Sequence, residues 1–480
     1  MAEKILTIAE LTKRMQDIAH TYHLVDVRRD RESFYALYPE VLQNAPVDFH
    51  STFSEEKFFC AGGFTLNLIM DGELEKSWEF IHSIPEEGKY LFMRLGLMLV
   101  HPKITWKEFI DIIEYLKALK SPLRSVVLTA GRPFLLNGFN DFTRISAFLE
   151  KKKDLFIEDL SYLYEKSLCP AIYRQCLAEY YYQIDKLLDA EVLVSRAIKE
   201  FDKDSERRLL FASLYLQTKI LLAQGKSVDA GSYITYIRNF VKKAGEAEFS
   251  YNIDAAEVMT AIYEGNREII AAWFKNNAPD EFGDFNMLDL YRYMVKMRCY
   301  IIYQKYTAVV ALAEKLRSLL EAGKRHMDLC ELDLILAINF WRAQEKELAF
   351  ESLERALKIA KRRKYYRLIA DEGDAVFPIL IEYVKEKGES EFLLKIIDIT
   401  RKVAINHPLY LRSIYKEQNF SQMETDILKL LEQGKMKEDI ADYFFISVNT
   451  VKYHLKSIYA KLGVGTAHQA VWAARVIGVI

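Results

Sequence analysis

The chain is short of the residues that interrupt helices. Its 480 residues include only 19 Gly and 10 Pro, both below ordinary usage, and this disfavours a strand-and-turn architecture. Cysteine is scarce as well: Cys60, Cys169, Cys176, Cys299 and Cys330 are the five. They are odd in number and never spaced CxxC, which argues against a disulfide framework and for reduced thiols. Neither sign of charge is in surplus. Lys plus Arg is 66 against 68 Asp plus Glu, a net charge of -2. A protein coated in nucleic acid is therefore excluded, while one local binding face is allowed. No apolar run nears the ~18 residues that a membrane span needs. The start, "MAEKILTIAELTKRMQ", has no apolar signal core followed by a cleavage site. These absences predict a cytoplasmic chain that does not engage a membrane. Hydrophobic residues are plentiful, at 51%. That is enough for a large core, in a chain longer than one compact domain usually is.

From about residue 62 to 387 the apolar residues recur at three- and four-residue spacing, the mark of amphipathic helices. A longer period underlies them. Five segments begin with an aromatic or Leu, pass a short polar turn and enter a helix, starting at Tyr181, Leu222, Tyr263, Tyr303 and Trp341. The starts are 41, 41, 40 and 38 residues apart, and a small residue follows in each at Ala190, Ala230, Ala271, Ala311 and Ala349. A period near 40 with one helix pair per repeat predicts an α-solenoid, in which each pair buries its apolar face on its neighbours. An earlier copy is legible at "IMDGELEKSWEFIHSI" from Ile69. The expected organisation is all-α: a helical lead-in over 1–60, a solenoid over 61–406, a linker over 407–420 and a small unit over 421–480. Pro408 ends the solenoid's last helix.

Several features suggest chemistry without carrying it. "LTAGRPFLLNGFNDFTR", residues 128–144, clusters turn formers and reads as a structural loop between helix pairs, or else a binding loop presenting Arg132 and Arg144. "AQGKS" at 223–227 ends like a phosphate-binding loop. The glycine required five positions before Gly225 is instead Ile220, so an inter-helix turn is the reading. His20 with His23, and His326 with Cys330, have metal-ligand spacing but no evident third ligand. No nucleophile elbow or dinucleotide fingerprint is present. No cofactor, metal or catalytic residue is expected, and the chain reads as a non-enzyme.

The last sixty residues are more informative. Ser421 and Glu424 form a capping box that opens a helix with Ile427, Leu428, Leu430 and Leu431 on its apolar face and Gly434 past its end. "KEDIADYF" is a short second helix, "FIS" a turn, and Ser447 the N-cap of a third helix running from Val448 to about Leu462. Val451, Leu455, Ile458 and Leu462 form its inner stripe, which leaves Lys452, Tyr453 and Lys456 on the opposite face. Between Ile446 and Val464 there is no acid. Thr466 and Gln469 predict a further capping box for a final helix. Residues 421–480 hold seven Lys and Arg against six acids, so the basic character belongs to one helix. Two helices joined by a three-residue turn, the second presenting two lysines and a tyrosine, fit a helix-turn-helix reading the major groove of double-stranded DNA.

The stretch "TDILKLLEQGKMKEDIADYFFISVNTVKYHLKSIYAKLGVGTAHQAV" (425–471) resembles the LuxR-type (GerE-type) helix-turn-helix of bacterial transcription regulators. The resemblance implies base contacts at Lys452, Tyr453 and Lys456. It implies backbone contacts or helix support at Thr450 and His454, and we place Ser447 and Lys461 with them. Met423 and Ala467 stand where the family usually has arginine. "AFESLERALKIAKRRKYYRLIADEGDAVFPIL" (349–380) resembles the end of the tetratricopeptide-like domain of MalT-like regulators, which precedes a LuxR-type domain. Full-length members of that family also carry an N-terminal nucleotide-binding domain, and none is legible in this chain. The expectation is a regulator whose solenoid senses a small-molecule or protein effector. A homodimer is expected through the final helix, which carries Val471, Trp472, Val476, Ile477, Val479 and Ile480. The rival is a protein-interaction scaffold with a vestigial helix-turn-helix.

Overall fold

A computed structural model describes residues 5–21, 24–43, 55–58, 60–101, scattered positions from 103 to 118, 172–200, 207–244, 250–283, 289–322, 325–411, 420–462, 465–476 and 480. The 128–144 loop, with Arg132 and Arg144, lies outside the described residues, as do Cys169, His23, Gly463 and residues 412–419. Among the described residues the secondary structure is helical, with no strand, and no helix is long and apolar enough to cross a membrane.

The repeats are helix pairs: Ile172–Gln183 with Leu187–Glu200, Arg207–Ala223 with Ser227–Ala244, Ser250–Glu264 with Arg267–Asn276, Leu290–Ile302 with Tyr306–Ala322, and His326–Arg342 with Lys346–Arg363. The first helix of a pair is often buried on every side; Leu290 and Tyr293–Ile302 are an unbroken buried set apart from Tyr291 and Arg292. The second is amphipathic, with one face in solvent.

The most regular feature of the array is its turn. Asp185, Gly225, Gly265, Gln304 and Gln344 all have positive φ, between 56° and 76°. Each reverses the chain by the same device: the amide of the residue after the left-handed one donates to a carbonyl five residues back, as in Lys226 to Leu221 (2.9 Å) and Glu345 to Phe340 (2.9 Å). This is a Schellman-type ending, which favours glycine but here also uses Asp and Gln. Five residues beyond each turn sits the residue where the two helices meet: Ala190, Ala230, Ile270, Val309 and Ala349, all at most 2% exposed. The small-residue expectation is thus correct at Ala190, Ala230 and Ala349. Ala271 and Ala311 are exposed, because those two repeats bury the neighbouring Ile270 and the Val309 two places earlier. Gly72 (φ 83°), with Glu73 bonded to Leu68 (2.9 Å) and Ser77 buried, repeats the motif in the earlier copy. "AQGKS" is such a turn, with Gly225 at its left-handed position.

The front helices pack on that first copy. Tyr35, Tyr38 and Phe80 surround Phe64, and the Asp71 carboxylate accepts from Arg28, Arg31 and the Tyr35 hydroxyl. At the other end, helices Tyr366–Ala370, Gly373–Lys387 and Glu391–Asn406 turn back onto the early repeats. The Tyr182 hydroxyl donates to Asp371 Oδ2 (2.6 Å), Tyr263 donates to the Asp371 carbonyl (2.9 Å), and the Leu368 amide donates to Gln183 (3.1 Å). These contacts join residues more than a hundred positions apart.

Candidate nucleic-acid interface

The C-terminal unit builds its exposed face from the inside outward. Ser421 Oγ accepts the Glu424 amide (3.2 Å) while Glu424 accepts the Ser421 amide (2.7 Å), completing the capping box of helix Gln422–Glu432. Ile427, Leu428 and Leu430 are buried. Gly434 (φ 78°) ends the helix, with Lys435 bonded back to Leu430 (3.0 Å). The second helix, Lys437–Phe444, buries Ile440 and Ala441. Phe445 then adopts a left-handed φ of 54°, and the Ile446 amide returns to Ala441 (3.0 Å), which makes the three-residue turn.

Ser447 Oγ accepts the Thr450 amide (3.1 Å) and lies 2.9 Å from the Thr450 hydroxyl, so these two residues cap and brace the third helix, Val448–Leu462. Val451, Leu455 and Ile458 are at most 3% exposed and meet the first two helices and the fourth in one core, while the Leu462 side chain is outside the description. Their burial fixes the helix rotation. Lys452, Tyr453 and Lys456 are exposed on the other side, Tyr453 by 73%. His454 is half-buried, its ring edge-on to Tyr453 at 6.0 Å. Lys461 is placed differently: its ammonium meets Glu424 Oε2 at 2.5 Å and lies over the Phe420 ring, which is helix support.

Glu424 is the residue that sequence reasoning undervalued. Besides its capping role it accepts from Ser457 Oγ (2.7 Å) and Lys461, tying the first helix to the third. Burial pushes its carboxyl up, but Lys461, Ser457 and the Ser421 amide outweigh this and hold it at about 2. The i, i+4 spacing of Ser457 and Lys461 was the available signal. The final helix, Ala467–Val476, starts at Thr466, whose Oγ accepts the Gln469 amide (3.2 Å). The returning Gln469 bond goes to the Gly465 amide (3.1 Å) and not to Thr466, so the box is displaced by one residue. Ala470 and Ala474 are the buried members of this helix; the Trp472, Val476, Ile477 and Val479 side chains lie outside the description.

A second candidate site lies inside the repeat array. A cavity of about 50 Å³ is lined by Tyr182, Tyr215, Lys219, Tyr263, Arg367 and His407, among others. It has room for a few waters or one small chemical group. His407 belongs to the stretch expected as linker, which instead begins as a packed strap. Its ring nitrogen lies 2.7 Å from the Leu222 carbonyl, and burial, the dominant influence, lowers its pKa. Leu409 covers Gly265. The Tyr410 hydroxyl donates to Glu372 (2.6 Å) and accepts from Arg298 (3.1 Å), itself ion-paired with Glu372 in the buried interior. Arg342 holds the Leu411 carbonyl.

Residues 165–386 match the family model of the MalT-like TPR region, and residues 418–474 match that of bacterial regulatory proteins of the luxR family. Two similar curated proteins are the HTH-type transcriptional regulators MalT of Klebsiella pneumoniae strain 342 and of Klebsiella pneumoniae subsp. pneumoniae strain ATCC 700721 / MGH 78578. Each is 23% identical over 282 residues, covering 55% of this chain and 31% of its own length. The chain thus spans about a third of the length of the curated relatives it matches. The chain therefore carries a MalT-like TPR region followed by a LuxR-type helix-turn-helix region.

Proposed function

We propose that this protein is a cytoplasmic bacterial transcription regulator that binds double-stranded DNA through residues 421–480. The reading rests chiefly on one observation: an exposed, acid-free row of Lys452, Tyr453 and Lys456 on a helix whose opposite stripe is buried. A helix so presented fits the major groove, with the lysines on base-edge acceptors and Tyr453 against a base. Ser447, Thr450, His454 and Lys461 keep that helix capped and seated. The division into a 1–60 lead-in, a 61–406 sensor array and a DNA-binding unit belongs to this proposal, with the 407–411 part of the connecting segment lodged in the array. The effector, a small molecule placing one group in the cavity or a protein docking on the array beside it, acts next to His407 and so on the segment that leads to the DNA-binding unit. The final helix supplies a homodimer contact, so that two copies read half-sites about one DNA turn apart.

The test is selection of genomic fragments by the chain beside a Lys452→Ala/Lys456→Ala double variant. Enrichment of a short two-fold site by the unaltered protein alone supports the reading. Each lysine alone should be worth on the order of 1–3 kcal/mol of binding if it reads a base. If neither protein enriches any fragment at moderate salt, the array is an interaction scaffold and the helix-turn-helix is vestigial.

A further inference from the structure

We propose that Asn449 is a fourth base-reading residue, specific for adenine; this rests on the DNA-binding reading of the same helix. Asn449 occupies the first turn of the third helix, the part of a recognition helix that penetrates the groove. It is exposed and lies three, four and seven residues before Lys452, Tyr453 and Lys456, so the four side chains share one face. Its neighbours are committed within the domain. Val448 packs on the core, and the Thr450 hydroxyl is held at 2.9 Å from Ser447.

Asparagine at a helix start ordinarily caps the helix with its own side chain. Here that role is filled, since Ser447 Oγ accepts the Thr450 amide. Asn449 sits two places inside the cap, where its amide cannot serve as N-cap. A side-chain amide placed there offers one donor and one acceptor in a plane. Adenine presents the complementary pair in the major groove, the N6 amino donor beside the N7 acceptor. Lysines, which only donate, suit the O6 and N7 acceptors of guanine and cannot make this distinction. From Asn449 to Lys456 the helix rises ~10.5 Å, about three base pairs at ~3.4 Å each. The adenine should therefore lie within about three base pairs of the lysine-read guanines.

The experiment uses the full chain and the site it selects, with every base of one half-site replaced in turn. Wild type, Asn449→Ala and Lys452→Ala are compared by competition binding. We expect wild-type binding to fall about 5- to 150-fold when one particular adenine is replaced. Asn449→Ala should lose that preference and keep those at the guanines, whereas Lys452→Ala should do the reverse. Alanine is the better helix former, so folding is not at risk. A uniform loss across all sites in Asn449→Ala would assign the residue to phosphate and overturn the proposal. Retention of the adenine preference would also overturn it, with DNA binding itself left standing. If wild type selects no site, the underlying reading falls and takes this one with it.

Discussion

Replacing Glu424 with glutamine removes one charge and almost no volume, and the structure gives the size of the effect. In the folded protein the carboxyl is held at about 2, against an ordinary value of 4.5. At ~1.4 kcal/mol per tenfold change in proton affinity, the ionised form stabilises the fold by about 3 kcal/mol relative to the protonated form. Lys461 is partly exposed, which trims the figure to about 2–3 kcal/mol. A charge-assisted hydrogen bond of this kind is independently worth about 1.5–3 kcal/mol, so the two routes agree. Because the folded value lies below the unfolded one, the contribution is complete above about pH 4.5 and is lost as pH falls towards 2. Glutamine resembles the protonated acid, so Glu424→Gln should cost about 2–3 kcal/mol at pH 7 and almost nothing near pH 2. Hydrogen exchange at pH 7, read over 422–432 and 448–462 in the full chain, should quicken by roughly 30- to 150-fold. Urea unfolding near pH 2 should bring variant and wild type together. A change under about threefold at pH 7, or a gap that persists undiminished at pH 2, would refute the reasoning.

Gly265→Ala should destabilise the array by about 2 kcal/mol or more, because a Cβ there meets Leu409 at 2.9 Å and the φ is +69°. Gly434→Ala, with φ +78° and nothing within 4 Å, should cost only the backbone strain, about 1 kcal/mol; thermal unfolding of the pair separates the two effects. Arg298→Met leaves the buried Glu372 without its ion-pair partner and should cost about 3–5 kcal/mol. Limited proteolysis should then cut sooner between 407 and 420, and an unchanged cleavage rate would show that Tyr410 is held by other contacts.

The repeats were legible because helix pairs impose a period that survives divergence of the residues themselves. The register was less so. Ala271 and Ala311 lie one and two places past the true meeting points, and only the left-handed turn residues fix the phase. Asp185, Gln304 and Gln344 carry no glycine signal for those turns. The framework of the helix-turn-helix was legible, since the capping bonds of Ser421 and Ser447 and the Val451–Leu455–Ile458 stripe are all local. What escaped the sequence was contact across long separations. Nothing near His407 or Tyr410 announces that Leu222, Arg298 and Glu372, dozens to hundreds of residues away, will hold them.

The seated strap also sets a distance. Ten residues lead from Leu411 to Ser421, so at ~3.3–3.6 Å per residue the DNA-binding unit cannot begin more than about 35 Å from its anchorage. Freeing 407–411 would lengthen this leash from ten residues to about fifteen. With effective concentration falling as roughly the three-halves power of length, the unit would lose only about twofold in local concentration beside its own array. A twofold loss is too small for an on–off response. On the proposed reading, an effector acting at this joint works by something other than the length of chain it releases, which is not enough.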